Sequence, residues 1–365
     1  MKQAKVLYLS ILIVFLFIIS ACRGVQSPNL TQSAAPTETA AATNTPAESI
    51  MPTTPPVQAA ALITSSNASR LKMVRQIEIR EPLRLTWVKD GQSFWVVSQN
   101  GATLYNSQTF QAIATFSSEA SQTLLDVSAD GRTLAATSDN SSIQLLDAVN
   151  KKELGTIQTS ATFGSVDFSA DGSWLAAAAM DQWQVTLWDV SGGKKVKSLE
   201  GFETAAPVYD AQLGGDGNTL IWHARGTIQL QDIPSGKMRH IFSHEDFVTA
   251  EALSADGKTL ATAAAGTVNS NFTPLIIVWD ARSGTKLATQ VTAESTNSLS
   301  FSSDGKLLAS ASGNRVIIWD VISHQKLADF EAHSEIINSL GFSPDGKVLL
   351  TCGTDHLVKR WQTEQ

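Results

Sequence analysis

The residues with the most chemical potential in this 365-residue chain are six histidines and two cysteines. His240 and His244 invite a metal reading by proximity. In a strand, however, residues four apart lie about 13 Å apart, too far to share one ion. No Cys or clustered carboxylate completes a ligand set, and Glu245 and Asp246 read as a solvated loop, so the pair reads as structural and no metal is expected. Cys352 sits in the apolar run VLLTCG and reads as a buried, inert thiol. Cys22 differs, because it follows a long apolar segment, and a thiol is the side chain most readily alkylated to a stable thioether. The chain has no GxSxG, Walker loop or GxGxxG. Neither catalytic residues nor a cofactor are expected, and the chain does not read as an enzyme.

The segment ahead of Cys22 is an address. Lys2 and Lys5 form a positive start, and residues 6–19 are apolar apart from Ser10. That length suits a signal peptide and is short for a membrane span, which needs roughly 20 residues. Ile19-Ser20-Ala21-Cys22 then resembles the lipobox of bacterial lipoproteins. The resemblance implies that residues 1–21 are removed and that Cys22 carries the acyl chains. An extracytoplasmic head, lipid-anchored to a bacterial membrane on the periplasmic side or the outer cell surface, follows. The alternative is an uncleaved anchor with Cys22 incidental, which also places the remainder outside the cytoplasm.

Residues 22–69 read as a tether. After Arg23 they are Ala, Thr, Ser, Pro, Gln and Asn with few large apolar groups, too little to offset the entropy of ordering. As a flexible coil the segment spans about 40 Å on average. The net charge of −7 and the absence of any basic run exclude a nucleic-acid partner, which requires a basic face. With only two cysteines, a disulfide framework is excluded as well.

The remainder, residues 70–365, is repetitive. Asp-Gly pairs begin at Asp90, Asp130, Asp171, Asp216, Asp256, Asp304 and Asp345, spaced by 40, 41, 45, 40, 48 and 41 residues. Gly accepts positive φ and Asp bonds its own backbone, so each pair predicts a tight hairpin between two strands. A second strand of small and apolar residues follows each turn, as in WLAAAA or LLASAS. A third ends in Trp188-Asp189, Trp279-Asp280 and Trp319-Asp320. The other copies have Tyr105-Asn106, Leu146-Asp147, Gln231-Asp232 and Trp361-Gln362 at that place. A period near 40 to 45 with four short strands per copy is a propeller signature.

Period, turn and dipeptide together resemble the WD-repeat family of β-propellers, over about residues 73–365. The resemblance implies an all-β, seven-bladed propeller of four-stranded antiparallel blades. It also makes the repeat residues structural. In that family a blade often holds a buried set of His, Ser or Thr, Asp and Trp. Here only the last blade is expected to approximate it, with His333, Asp355, Trp361 and Thr351 or Thr354. The last copy lacks a fourth strand, and Lys72–Ile79 has a strand pattern without a repeat of its own. That strand is therefore expected to close blade seven and remove an exposed edge.

Copy length points to a candidate contact surface. The fifth copy is longer by several residues at 265–274, and the connection at 201–207 is also longer. In propellers of this family both emerge on the face opposite the Asp-Gly turns. Trp183, Phe202, Phe247 and Phe272 are therefore candidate anchors for an unidentified protein partner in the cell envelope. The competing reading is drift in loop length with these aromatics packed down. The functional expectation is a membrane-tethered protein-binding scaffold with a monomeric head. The alternative is a glycan or small-molecule binder using the central channel, and an enzyme ranks third.

Overall fold

Four short antiparallel strands per copy, repeated seven times, close into a ring in the computed structural model. It describes residues 60–363 except 100, 118–122, 138–141, 160–162, 180–183, 192–193, 201–207 and 225. Blades one to six span residues 82–117, 123–158, 163–200, 210–243, 248–291 and 296–331. Blade seven takes three strands from 337–362 and its outermost strand, Lys72–Glu78, from the other end of the head. That strand pairs antiparallel with Leu357–Gln362, Lys72 opposite Gln362 and Glu78 opposite Leu357, as the missing fourth strand required. A 3-10 turn at Ala68–Arg70 is the one helical element among the described residues. No helix among them is long and apolar enough to cross a membrane.

The turns form as their chemistry dictates, with one partner beyond the Asp-Gly pair. In blade two the Ser128 hydroxyl donates to Asp130 Oδ1 (2.7 Å) and accepts from the Thr133 N–H (2.9 Å). Gly131 takes the positive φ of 72°. Ser169, Ser254, Ser302 and Ser343 repeat the contact with Asp171, Asp256, Asp304 and Asp345. The Asp that ends the third strand caps the next turn. Asp189 accepts from the Ser191 N–H, Asp280 from Ser283 and Asp320 from Ser323. Asn106, Asp147 and Asp232 do the same in copies that lack the Trp, so the cap persists where the dipeptide is lost.

Burial is organised by seam, not around a single core. Seven apolar clusters each join two neighbouring blades, the seventh linking blade seven to blade one through Phe94, Val96, Leu350, Cys352 and Val358. The small second strands allow the sheets to approach closely, and Ala176–Ala179 are all buried.

The ordered head begins ahead of residue 70, where the tether was expected to end. Ile63 and Ala68 are buried in the seam between blades six and seven, among Leu307, Leu340, Phe342 and Trp361. The Ile63 N–H donates to the Gly346 carbonyl (3.0 Å), and Ala61 bridges Thr363. Two apolar side chains in a polar stretch are weak signals in sequence, yet here they cap the strands that close the ring.

Candidate functional site

The first strand of each blade lines the central channel. These inner strands do not share a backbone ladder, so side chains bridge them. Asp126 Oδ2 accepts from the Phe168 N–H (3.0 Å), and Asp167 Oδ2 from the Leu213 N–H (2.7 Å). Thr249 donates to the Thr296 carbonyl (2.7 Å), Ser300 accepts from the Phe342 N–H (3.2 Å), and Ser339 from the Leu85 N–H (3.2 Å). Arg84 pairs with Asp126 between blades one and two. Between blades four and five the bridge is His223 Nδ1 to Glu251 Oε1, at 2.8 Å.

The ring thereby concentrates charge on one side of the channel. Asp126, Asp167, Asp210 and Glu251 come from four consecutive blades. Two adjoining cavities of about 490 and 410 Å³ meet there and share Asp210 and Gln212 as lining. Arg84 is the single Lys or Arg on their described walls. Burial pushes the Asp167 carboxyl up to about 7, against the Leu213 hydrogen bond and the Arg84 charge. Burial works the other way on His223, but Glu251 and then Asp210 outweigh it and raise the imidazole to about 9. Asp210, His223 and Glu251 place one donor atom each within 4.8 Å of one another. The chain order hides this set, because each residue looks ordinary in its own strand.

The buried polar set of blade seven closes as a relay. The Trp361 Nε1–H donates to Thr351 Oγ1 (3.0 Å), the Thr351 hydroxyl reaches His333 Nε2 (2.7 Å), and His333 Nδ1 bonds Asp355 (2.8 Å). Thr351 is the hydroxyl member, while Thr354 bonds the Ile336 carbonyl. The expectation that only this blade approximates the set needs correction. Blade five keeps three members: Trp279 Nε1–H to Thr262 (2.9 Å), Thr262 to His244 Nε2 (2.8 Å), and His244 Nδ1–H to the Gly226 carbonyl (3.2 Å). A backbone carbonyl replaces the Asp, which a search by residue type overlooks. His244 is thus structural, and burial lowers it to about 4. Blade six keeps Trp319 to Ser310 (3.0 Å). In blade three Ala177 holds the hydroxyl position, and the buried Trp188 Nε1 has no partner among the described residues.

The extra residues of blade five form a hairpin rather than a loop. Strands Thr259–Val268 and Asn271–Asp280 each run ten residues, where the corresponding strands of other blades have five or six. Asn269 and Ser270 make the turn with φ of 49° and 66°, the conformation of a two-residue hairpin loop. Glu245 Oε2 accepts from both the N–H (3.0 Å) and the hydroxyl (2.8 Å) of Thr267 and braces it. Phe272 is 57% exposed on this extension. Phe247 is half-buried, edge-on to Tyr209 at 6.2 Å. Trp183, Phe202 and Cys22 lie outside the described residues.

The model of the family described as WD domain, G-beta repeat matches residues 151–189, 285–320 and 324–362. These three stretches are similar to WD40 repeats. The matched stretches end at or beside Asp189, Asp320 and Gln362, the third-strand ends of blades three, six and seven. A WD repeat-containing protein SL1-17 from Schistosoma mansoni is 29% identical over 203 residues, 55% of this chain. The match spans 62% of that relative's length.

Proposed function

We propose that this WD-repeat propeller is an acylated, extracytoplasmic scaffold that binds a protein partner through the face opposite its Asp-Gly turns. The braced hairpin of blade five carries the reading. Its strands are almost twice the usual length, its tip is held by Glu245, and it presents Phe272 to solvent. A rigid hairpin loses little entropy when it docks, and an exposed aromatic on it can anchor a contact. WD-repeat propellers typically act as protein-interaction scaffolds, in agreement with this reading.

Affinity capture from solubilised native membranes tests the face. A partner recovered with the wild-type chain is expected to be lost or depleted with Phe272→Ala and Trp183→Ala. Unchanged recovery of every partner by both variants would remove this surface from consideration. The anchor is tested separately with Cys22→Ser, which should abolish fatty-acid labelling and release the chain from the membrane fraction. Continued labelling of that variant would rule out Cys22 as the acylated residue.

A further inference from the structure

The repeats serve as internal controls, because the other copies show what the fold alone requires at each position. Glu251 stands three residues before the turn Ser254. The same place holds Leu85, Leu125, Val166, Ala211, Leu299 and Leu340 in the other blades. His223 stands opposite Asp210 on the second strand. Its counterparts are Val97, Thr137, Ala178, Ala263, Ala311 and Cys352. The scaffold therefore accepts small or apolar side chains at both positions. Blades four and five instead bury a carboxylate that is 5% exposed against an imidazole that is 8% exposed. Burying a charge is unfavourable unless it is matched.

The match in the chain is incomplete. His223 bonds one carboxylate oxygen, while Asp210 and Asp167 line the same pair of cavities and Arg84 is already paired with Asp126. Glu251 is 1% exposed in its side chain and bonds His223 through Oε1. Its second oxygen has no hydrogen-bond partner among the described residues, and Glu251 lines the 490 Å³ cavity.

We propose that Asp210, His223 and Glu251 form a divalent transition-metal site at the seam of blades four and five. Metal bonds to N and O donors of about 2.0–2.2 Å place the donors roughly 3 to 3.5 Å apart. His223 Nδ1 and Glu251 Oε1 are 2.8 Å apart, and rotation of a carboxylate draws in the remaining donor from within 4.8 Å. Two carboxylates and one imidazole favour Zn²⁺, Mn²⁺ or Fe²⁺ over all-oxygen Ca²⁺ or Mg²⁺ chemistry. Three protein donors leave coordination positions that open to the cavity, where water or an oxygen-bearing small molecule completes the shell. The site is independent of the partner face.

The test titrates the purified, chelator-stripped full chain with Zn²⁺ by calorimetry and with Mn²⁺ by electron paramagnetic resonance. One ion per chain is expected to bind at this site. Losing an outer-shell group costs about 10–100-fold in affinity, so Glu251→Gln and Asp210→Asn should each cost at least about 100-fold. Failure of the folded wild type to bind either ion, or equal affinity in the Glu251→Gln/Asp210→Asn double variant, would overturn the site. If a variant does not fold, pulsed resonance of the Mn²⁺-loaded wild type decides. Coupling to one imidazole nitrogen supports the assignment, and absence of nitrogen coupling refutes it.

Discussion

His223 Nδ1 and Glu251 Oε1 face each other at 2.8 Å across the seam between blades four and five, although 28 residues separate them in the chain. Several other seams are bridged by side chains that reach backbone groups, such as Asp167 to the Leu213 N–H and Ser300 to the Phe342 N–H, and the seam of blades one and two by the pair Arg84–Asp126. This seam relies on two titratable side chains, so its stability depends on pH.

The head should be most stable between pH about 5 and 7, with different residues setting the two limbs. His223 is raised from 6.5 to about 9, so its contribution is complete below 6.5 and lost as pH rises through 9. Asp167, raised from 3.8 to about 7, works against this optimum, because its contribution is complete below 3.8 and lost as pH rises through 7. His244 is lowered from 6.5 to about 4, so its contribution is present above 6.5 and lost as pH falls through 4. Melting temperatures from pH 4 to 10 in the presence of chelator measure both limbs. Glu251→Gln should flatten the limb above pH 7 and leave the acid limb alone. An unchanged alkaline limb in that variant would refute the assignment.

Trp188 offers a gain of stability. Its buried Nε1–H lacks the hydroxyl that Thr262, Ser310 and Thr351 supply in blades five, six and seven. Ala177→Ser restores an acceptor at that register position. A made hydrogen bond contributes about 0.5–1.5 kcal/mol, and urea denaturation should register a gain of that order. A loss would mean that the added oxygen crowds the seam more than it satisfies the indole.

Ring closure depends on more than the Lys72–Glu78 strand. Ile63 is 4% exposed in the seam of blades six and seven. Ile63→Ala should destabilise the head by about 2–5 kcal/mol, the range for truncating a buried aliphatic. Deleting residues 70–80 should leave it unstable or aggregated. A cooperative, unchanged melt for that deletion would show that the ring holds with blade seven three-stranded.

Cys352 reports on the seam where the ring closes. Burial pushes its thiol up to about 12, and it packs with Val358, Leu350 and Val96. Iodoacetamide at pH 8 should leave Cys352 unmodified in the native head and modify it in denaturant, as read by mass spectrometry of its peptide. Rapid native labelling would reveal that blades one and seven separate readily.

The sequence by itself determined the repeat, its seven copies, the four strands of each and the closing role of Lys72–Glu78. These are local: an Asp-Gly turn, a strand period and a missing fourth strand can be read within one copy or by comparing copies. The blade-seven relay was legible for the same reason, since His333, Thr351, Asp355 and Trp361 lie within a single repeat. What only the tertiary structure decided lies between copies. The blade-five relay ends on the Gly226 carbonyl, which no side-chain pattern announces. The extra residues at 265–274 became a braced hairpin because Glu245 from the preceding connection meets Thr267. Asp210, His223 and Glu251 come from three strands of two blades and converge because ring curvature brings the inner strands together. A strand's alternation shows which residues share a face, but the ring decides which faces meet.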